Sequence, residues 1–108
     1  MVTHQKDIKA LVKKIVSSIV SISKPEKVIL FGSGAREAMG PHSDLDFLVV
    51  KSCENTRKVQ QDIYQNLPGF EIGVDIVVVT PEDIEEYKDC SVVVIHHALK
   101  DGRTVYAA

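Results

Sequence analysis

The sequence predicts an α/β (α+β) fold in which helices pack on a mixed β-sheet. Short apolar runs rich in Val and Ile alternate with segments whose apolar residues recur at helical spacing. Clusters of Gly, Pro and Asn separate these segments, as expected for turns. At 108 residues, with 44% hydrophobic and 26% charged residues, the chain has the length and composition of one globular domain, which we expect to span residues 1–108.

The individual elements follow from apolar spacing and from turn residues. Helices are predicted where apolar residues recur every three or four positions, and strands where a short β-branched run lies between turns. Thr3 is the expected N-cap of the first helix, and Thr80-Pro81 has the capping residue and the proline typical of a helix start. The predicted segments are a helix at 4–22, a strand at 27–31, a short helix from Gly32 to Met39, a strand at 45–51, a helix at 55–67, a strand at 71–79, a short helix at 81–87, a helix at 91–100 and a strand at 103–107.

Residues 91–100 fit two structures. Val92 to Ile95 favour a strand by propensity. Ser91 as an N-cap, an apolar stripe at helical spacing and Gly102 after the last turn favour a helix. We therefore predict a helix in this segment.

Charge and cysteine content exclude several classes of function. The formal net charge of −2 provides no basic footprint, so nucleic-acid binding is not expected. No apolar run approaches the roughly 20 residues that cross a bilayer, and the N-terminus lacks the apolar core of a secretion signal. Cys53 and Cys90 have no CxxC or Cys/His ligand spacing, which indicates reduced thiols in a cytoplasmic protein and argues against zinc.

Aspartates at the start of the second predicted strand are candidate metal ligands. Asp44 and Asp46 are two positions apart, so a strand directs both carboxylates to one face. Such like charges repel each other, and a divalent cation between them would remove the repulsion. Asp75 interrupts the third predicted strand and would join the pair if that strand lies beside the second. Together the carboxylates could hold two Mg²⁺ ions, and Asp75 could take the proton from an attacking hydroxyl.

A glycine-serine turn supplies the other half of the candidate site. Gly32 lets the backbone approach phosphate oxygens, and Ser33 can donate a hydrogen bond to them. Arg36, one helical turn later, can reach the same phosphates. Each feature alone has a structural explanation: an ordinary turn, a turn-capping Asp-x-Asp, a salt-bridged Asp75, or an Arg36–Glu37 pair. Their combination at this spacing points to metal-dependent phosphate chemistry.

The combined pattern resembles the DNA polymerase beta-like nucleotidyltransferase superfamily. Its signature is a Gly-Ser turn followed by an Asp-x-Asp pair and a third aspartate on a later strand. Gly32-Ser33, Asp44-Leu45-Asp46 and Asp75 match that signature in order, with ten residues between Ser33 and Asp44. The small size, the Leu-Phe-Gly-Ser lead-in and the segment 99–106 are similar to the minimal nucleotidyltransferase family of prokaryotes.

This resemblance implies an enzyme that transfers a nucleoside monophosphate from a Mg²⁺-bound NTP, with ATP as the expected donor, to a hydroxyl. It also implies a helical HEPN-type partner, with this chain as the antitoxin of a toxin–antitoxin pair and a partner tyrosine as a candidate acceptor. Both metal ions would be bound by the two residues of the Asp-x-Asp pair, and the catalytic ion also by the third aspartate. The implied site consists of the catalytic and metal-binding residues Asp44, Asp46 and Asp75 and the nucleotide contacts Gly32, Ser33 and Arg36.

Two residues favour a different class of function. Gly34 lacks the side chain that family members usually carry there, and Glu37 adds negative charge near the phosphates. Both favour a module that binds its partner, with or without nucleotide, and performs no chemistry. An antibiotic-modifying nucleotidyltransferase is a third alternative, although such enzymes normally carry a second, substrate-binding domain. The broad apolar face of the first helix is expected to pack on the sheet, and part of it could instead serve a homodimer or a contact with a partner protein.

Overall fold

The computed structural model describes residues 5–32, 44–70, 72–90 and 93–108. The predicted N-cap Thr3 and the predicted short helix after Gly32 lie outside these residues. No helix within the described ranges is long and apolar enough to cross a membrane. The elements are α1 (Gln5–Ser23), β1 (Lys27–Phe31), β2 (Leu45–Val50), α2 (Thr56–Asn66), β3 (Val74–Val79), α3 (Pro81–Tyr87), α4 (Val94–Asp101) and β4 (Arg103–Ala107).

The strands form one mixed sheet in the order β3-β2-β1-β4. β1 pairs antiparallel with β2 and with β4, whereas β2 pairs parallel with β3. The parallel pair requires a crossover, which α2 supplies by returning the chain to the end of the sheet where β2 starts. The predicted mixed sheet with packed helices is therefore confirmed, and β3 lies beside β2.

One face of the sheet is covered by α1 and α2. Ile15 and Ile19 of α1 are fully buried in one apolar cluster with Leu30 and Phe47 of the sheet, and α2 contributes Ile63. Full burial of a side chain of this size contributes about 1.5–3 kcal/mol. This cluster therefore supplies much of the stability of the fold.

The opposite face carries a smaller apolar cluster, which α4 covers above β1. Side chains alternate between the two faces along a strand. On this face the polar residues Asp46 and Asp75 occupy the positions nearest the starts of β2 and β3. The buried members of the smaller cluster are Ile29, Leu48, Val50, Val79, Ile95 and Ala98.

Two element starts differ from the sequence prediction. β3 begins at Val74, whose register partner Leu45 is the first residue of β2, and not at residue 71 as predicted. α4 begins at Val94 and its N-cap is Val93, which makes no side-chain cap hydrogen bond, so the prediction of Ser91 as the cap is wrong. By contrast, Thr80 forms the predicted cap of α3 and accepts a hydrogen bond from the backbone N–H of Asp83.

Candidate active site

The predicted metal ligands lie at one end of the sheet. Asp44 immediately precedes β2, Asp46 is the second residue of β2, and Asp75 is the second residue of β3. Asp46 is directly opposite Asp75 in the parallel register and opposite Phe31 in the antiparallel register. Strand pairing therefore brings together acids that are far apart in the sequence, at the point where β1 ends.

The acids are placed on the sheet face that carries the smaller apolar cluster. Asp46 shares its face with Leu48, and Asp75 shares its face with Val77, because side chains two positions apart on a strand point to the same side. Asp46 is half-buried, whereas Asp44 and Asp75 are exposed. A solute can therefore reach the carboxylates, while the apolar cluster forms a wall on one side of them.

The Asp46 carboxyl is in an unfavourable environment for a negative charge. Burial raises the pKa of Asp46 above its ordinary value of 3.8, and the charge of Asp75, a hydrogen bond with Asp75 and the charge of Asp44 raise it further. The carboxyls of Asp44 and Asp75 are thus both close enough to Asp46 to disfavour its ionised form. A cation at this position would reverse the repulsion and favour the ionised form of Asp46.

Gly32 allows the chain to pass close to Asp46 directly after β1. Its φ of +73° lies in the left-handed region, which favours glycine. A Cβ atom at this position would lie 2.6 Å from Asp46 Oδ2, closer than real Cβ contacts come. The glycine of the predicted phosphate-binding turn therefore lies beside a predicted metal ligand.

Gly73 has the same relation to Asp44, and sequence analysis missed it. The Gly73 carbonyl accepts a hydrogen bond of 2.9 Å from the backbone N–H of Leu45, which draws the start of β2 against the residues before β3. A Cβ atom on Gly73 would overlap the Asp44 carboxylate. In the sequence this residue is a glycine ahead of a strand, which indicates only a turn. Its role depends on the pairing of β2 with β3.

The donor set suits a hard divalent cation. Carboxylate oxygens are the ligands that Mg²⁺ prefers, and the half-buried Asp46 would gain most because both neighbours repel its charge. Within the described ranges, no group of three or more His, Cys, Asp or Glu side chains is already arranged to hold a metal ion. Asp44 and Asp75 are exposed, so their carboxylate groups have room to rotate about the Cβ–Cγ bond towards a cation without moving Cγ. The donor types therefore suit Mg²⁺, and the carboxylates would have to converge further to complete a site around the ion.

Two of the predicted nucleotide contacts, Ser33 and Arg36, lie outside the described residues. Their contact with phosphate stays a prediction. Gly32 is the described residue that joins their segment to the sheet, and it directs the chain past Asp46.

A family model described as polymerase beta, nucleotidyltransferase matches residues 13–108 of the chain. The matched region contains most of α1, every later element and all six predicted site residues. None of the curated proteins matches the sequence.

Solved structures with a similar fold include nucleotidyltransferases and toxin–antitoxin proteins. A candidate nucleotidyltransferase from Sulfolobus solfataricus is 24% identical with a TM-score of 0.65, and the match covers 95% of this chain and 83% of that one. A toxin–antitoxin structure with AMP-PNP is 19% identical with a TM-score of 0.66, covering 89% of this chain and 73% of that one. The spectinomycin adenyltransferase AAD(9) from Enterococcus faecialis, with ATP and spectinomycin, is 18% identical with a TM-score of 0.59, covering 94% of this chain and 56% of that one. At these identities the likeness shows the fold.

Proposed function

The chain belongs to the polymerase beta nucleotidyltransferase family, and we propose that it transfers AMP from ATP to a protein hydroxyl in a Mg²⁺-dependent reaction. The observation that carries this proposal is the pairing of Asp46 with Asp75 in adjacent parallel strands, with Asp44 close by. Gly32 adds a backbone turn without a side chain next to Asp46. Acids that repel one another beside such a turn favour a role with metal and phosphate over a role in stability.

The proposed site holds two Mg²⁺ ions. Asp44 and Asp46 would each contact both ions, whereas Asp75 would contact only the catalytic ion. When bound, the ions neutralise charge on the triphosphate and polarise the α-phosphate. The half-buried Asp46 at the centre of the cluster is the ligand whose protonation would most directly weaken metal binding, because its pKa is raised.

In the proposed reaction, the acceptor hydroxyl oxygen forms a bond to the α-phosphorus. The bond from that phosphorus to the oxygen that bridges to the β-phosphate breaks, so that pyrophosphate leaves and AMP remains on the acceptor. The hydroxyl proton passes to the carboxylate of Asp75. The exposure of Asp75 supports this role, because an acceptor side chain on another protein can reach it.

The proposed phosphate contacts lie in the segment that begins at Gly32. The left-handed turn at Gly32 leaves the chain without a side chain beside Asp46, which is where a metal-bound phosphate would have to approach. Ser33 would donate a hydrogen bond to a phosphate oxygen, and Arg36 would add a positive charge. These contacts would hold the triphosphate against the carboxylates.

We further propose a cytoplasmic antitoxin whose acceptor belongs to a helical HEPN-type toxin. A solved toxin–antitoxin structure with AMP-PNP has a similar fold, which supports this assignment. A bound partner would complete the acceptor side of the site.

Transfer of label from ATP labelled in the α-phosphate tests the proposal. The assay uses Mg²⁺ and host extract that contains the co-purifying partner, and compares wild type with Asp44→Asn/Asp46→Asn. The control is Asp62→Asn/Asp89→Asn, which removes two exposed acids with the same change in charge. We expect a labelled protein band with wild type and control, and none with the site variant. Unchanged labelling by the site variant would contradict the mechanism.

The alternative function is a module that binds its partner without chemistry. Gly34, which lacks the side chain that family members usually carry, and Glu37, which adds negative charge near the proposed phosphate contacts, favour it. The site variant separates the two functions: if it still neutralises the partner and wild type transfers no label, the binding module is correct.

A further inference from the structure

Tyr64 contacts the strand that carries Asp75. The hydroxyl oxygen of Tyr64, in α2, accepts a hydrogen bond of 2.7 Å from the backbone N–H of Ile76, twelve residues further along the chain. Ile76 directly follows Asp75, so the contact holds the planar peptide group that joins the two residues. The Ile76 side chain is 2% exposed in the cluster that α2 covers, so Tyr64 reaches β3 from the sheet face opposite the acids.

This amide belongs to β3, the edge strand of the sheet that the described residues form. The N–H groups of Leu45 and Lys51 donate to the carbonyls of Gly73 and Val79, so the odd-numbered residues of β3 bond to β2. In a parallel ladder the alternate residues direct their backbone groups away from that partner. The N–H of Ile76 therefore points to the side of β3 on which the described residues form no further strand. An edge amide without a protein partner bonds to water, and the strand around it opens more readily.

We infer that Tyr64 is a positioning residue for Asp75, a role that rests on the proposed nucleotidyl-transfer function. The pairing with β2 fixes β3 from one side, and the Tyr64 hydroxyl fixes the peptide group after Asp75 from the other. The Asp75 side chain is exposed and its carboxyl hydrogen-bonds to that of Asp46, so the position of its carboxylate relative to Asp46 depends on where β3 holds the Asp75 backbone. Loss of the hydroxyl would leave Asp75 on a less ordered edge strand and weaken its contribution to a metal site.

The variant Tyr64→Phe removes the hydroxyl and keeps the ring. The matched control is Tyr87→Phe, which removes the hydroxyl of another exposed tyrosine, on α3. Loss of one neutral hydrogen bond changes an equilibrium constant by about fivefold, and here the equilibrium is the local opening that exposes the Ile76 amide. In the metal-free protein we therefore expect the Ile76 amide to exchange with solvent about fivefold faster in Tyr64→Phe, as measured by NMR, and at the wild-type rate in Tyr87→Phe.

The second measurement is the affinity of the purified chain for Mn²⁺. Electron paramagnetic resonance detects the Mn²⁺ that remains free in solution. The expected result is an affinity about threefold to fivefold lower in Tyr64→Phe and unchanged in Tyr87→Phe. The Mg²⁺ concentration that gives half-maximal label transfer should rise by the same factor. A hydroxyl with a purely structural role would change amide exchange and leave metal affinity unchanged.

The outcomes separate this inference from the proposed function. Faster exchange at Ile76 with unchanged Mn²⁺ affinity would overturn the positioning role, and so would unchanged exchange. A wild-type chain that binds Mn²⁺ but transfers no label would refute the transfer reaction, while the comparison of Mn²⁺ affinities still decides the role of Tyr64. A wild-type chain that binds no Mn²⁺ would refute the metal site and this role together.

Discussion

The substitution Gly73→Ala tests whether the position of Asp44 controls activity. Among the described glycines only Gly32 has a positive φ, so the backbone at Gly73 accepts an alanine without strain. The new methyl group, however, would overlap a carboxylate oxygen of Asp44 and lie 2.7 Å from Asp44 Cγ. The substitution therefore acts on the carboxylate rather than on the fold of the connection.

The size of the effect follows from these distances. Ordinary van der Waals contact begins at 3.4 Å, so Asp44 Cγ has to move away from 2.7 Å to at least that separation. A misplacement of about 1 Å in a catalytic group can lower the rate by about 100-fold. Asp44 is exposed and can move into solvent, so we expect the free energy of unfolding to fall by less than about 1 kcal/mol.

The assay measures label transfer from ATP and urea unfolding on the same preparations. Gly69→Ala is the matched control, because a Cβ at Gly69 meets nothing within 4 Å in the same connection between α2 and β3. We expect Gly69→Ala to keep wild-type activity and Gly73→Ala to lose about 100-fold. Wild-type transfer by a folded Gly73→Ala would refute the reasoning, because it would show that the position of Asp44 does not matter.

Two further substitutions test the electrostatics and the turn of the site. Gly32→Ala should lower the free energy of unfolding by about 1–2 kcal/mol, because alanine disfavours a left-handed φ. The new methyl group should also displace Asp46 and abolish transfer. An unchanged midpoint of urea unfolding would contradict this prediction. Because burial and the charge of Asp75 raise the pKa of Asp46, the folded state binds a proton more tightly than the unfolded state, and stability falls as the pH rises above 3.8 towards the raised value. Asp46→Asn should therefore be more stable than wild type at neutral pH without metal and lose this advantage below pH 3.8. Urea unfolding in EDTA measures the free energy of unfolding of both proteins across this pH range. If the two free energies change in parallel with pH, the unfavourable environment of the Asp46 charge is refuted.

Most of the fold could be predicted because its strands carry strong local signals. β1 has its predicted bounds, and β2 differs from its prediction by one residue, since short β-branched runs between turns leave little ambiguity. The helix at 94–101 was ambiguous by propensity, and its observed start shows why caps alone are weak signals: the N-cap position holds Val93, which has no capping side chain. Packing of Ile95 and Ala98 on the smaller apolar cluster stabilises this helix instead.

The site could be predicted only in part, because its parts depend on contacts between distant residues. Asp44 and Asp46 share a local pattern, but the contact of Asp46 with Asp75 exists only because β3 runs parallel to β2. Gly73 and Tyr64 carry no local signal for their roles. One lies against Asp44 and the other against the amide of the residue after Asp75, and both contacts follow from how the strands and α2 pack.

The most direct test of nucleotidyl transfer compares ATP labelled in the α-phosphate with ATP labelled in the γ-phosphate. Wild-type chain, Mg²⁺ and the partner protein are incubated with each in parallel, and the protein product is examined for label. The proposed reaction predicts label from the α-position alone, because pyrophosphate carries the β- and γ-phosphates away. Label from the γ-position, or from neither position in a complex that forms and stays intact, would contradict the account.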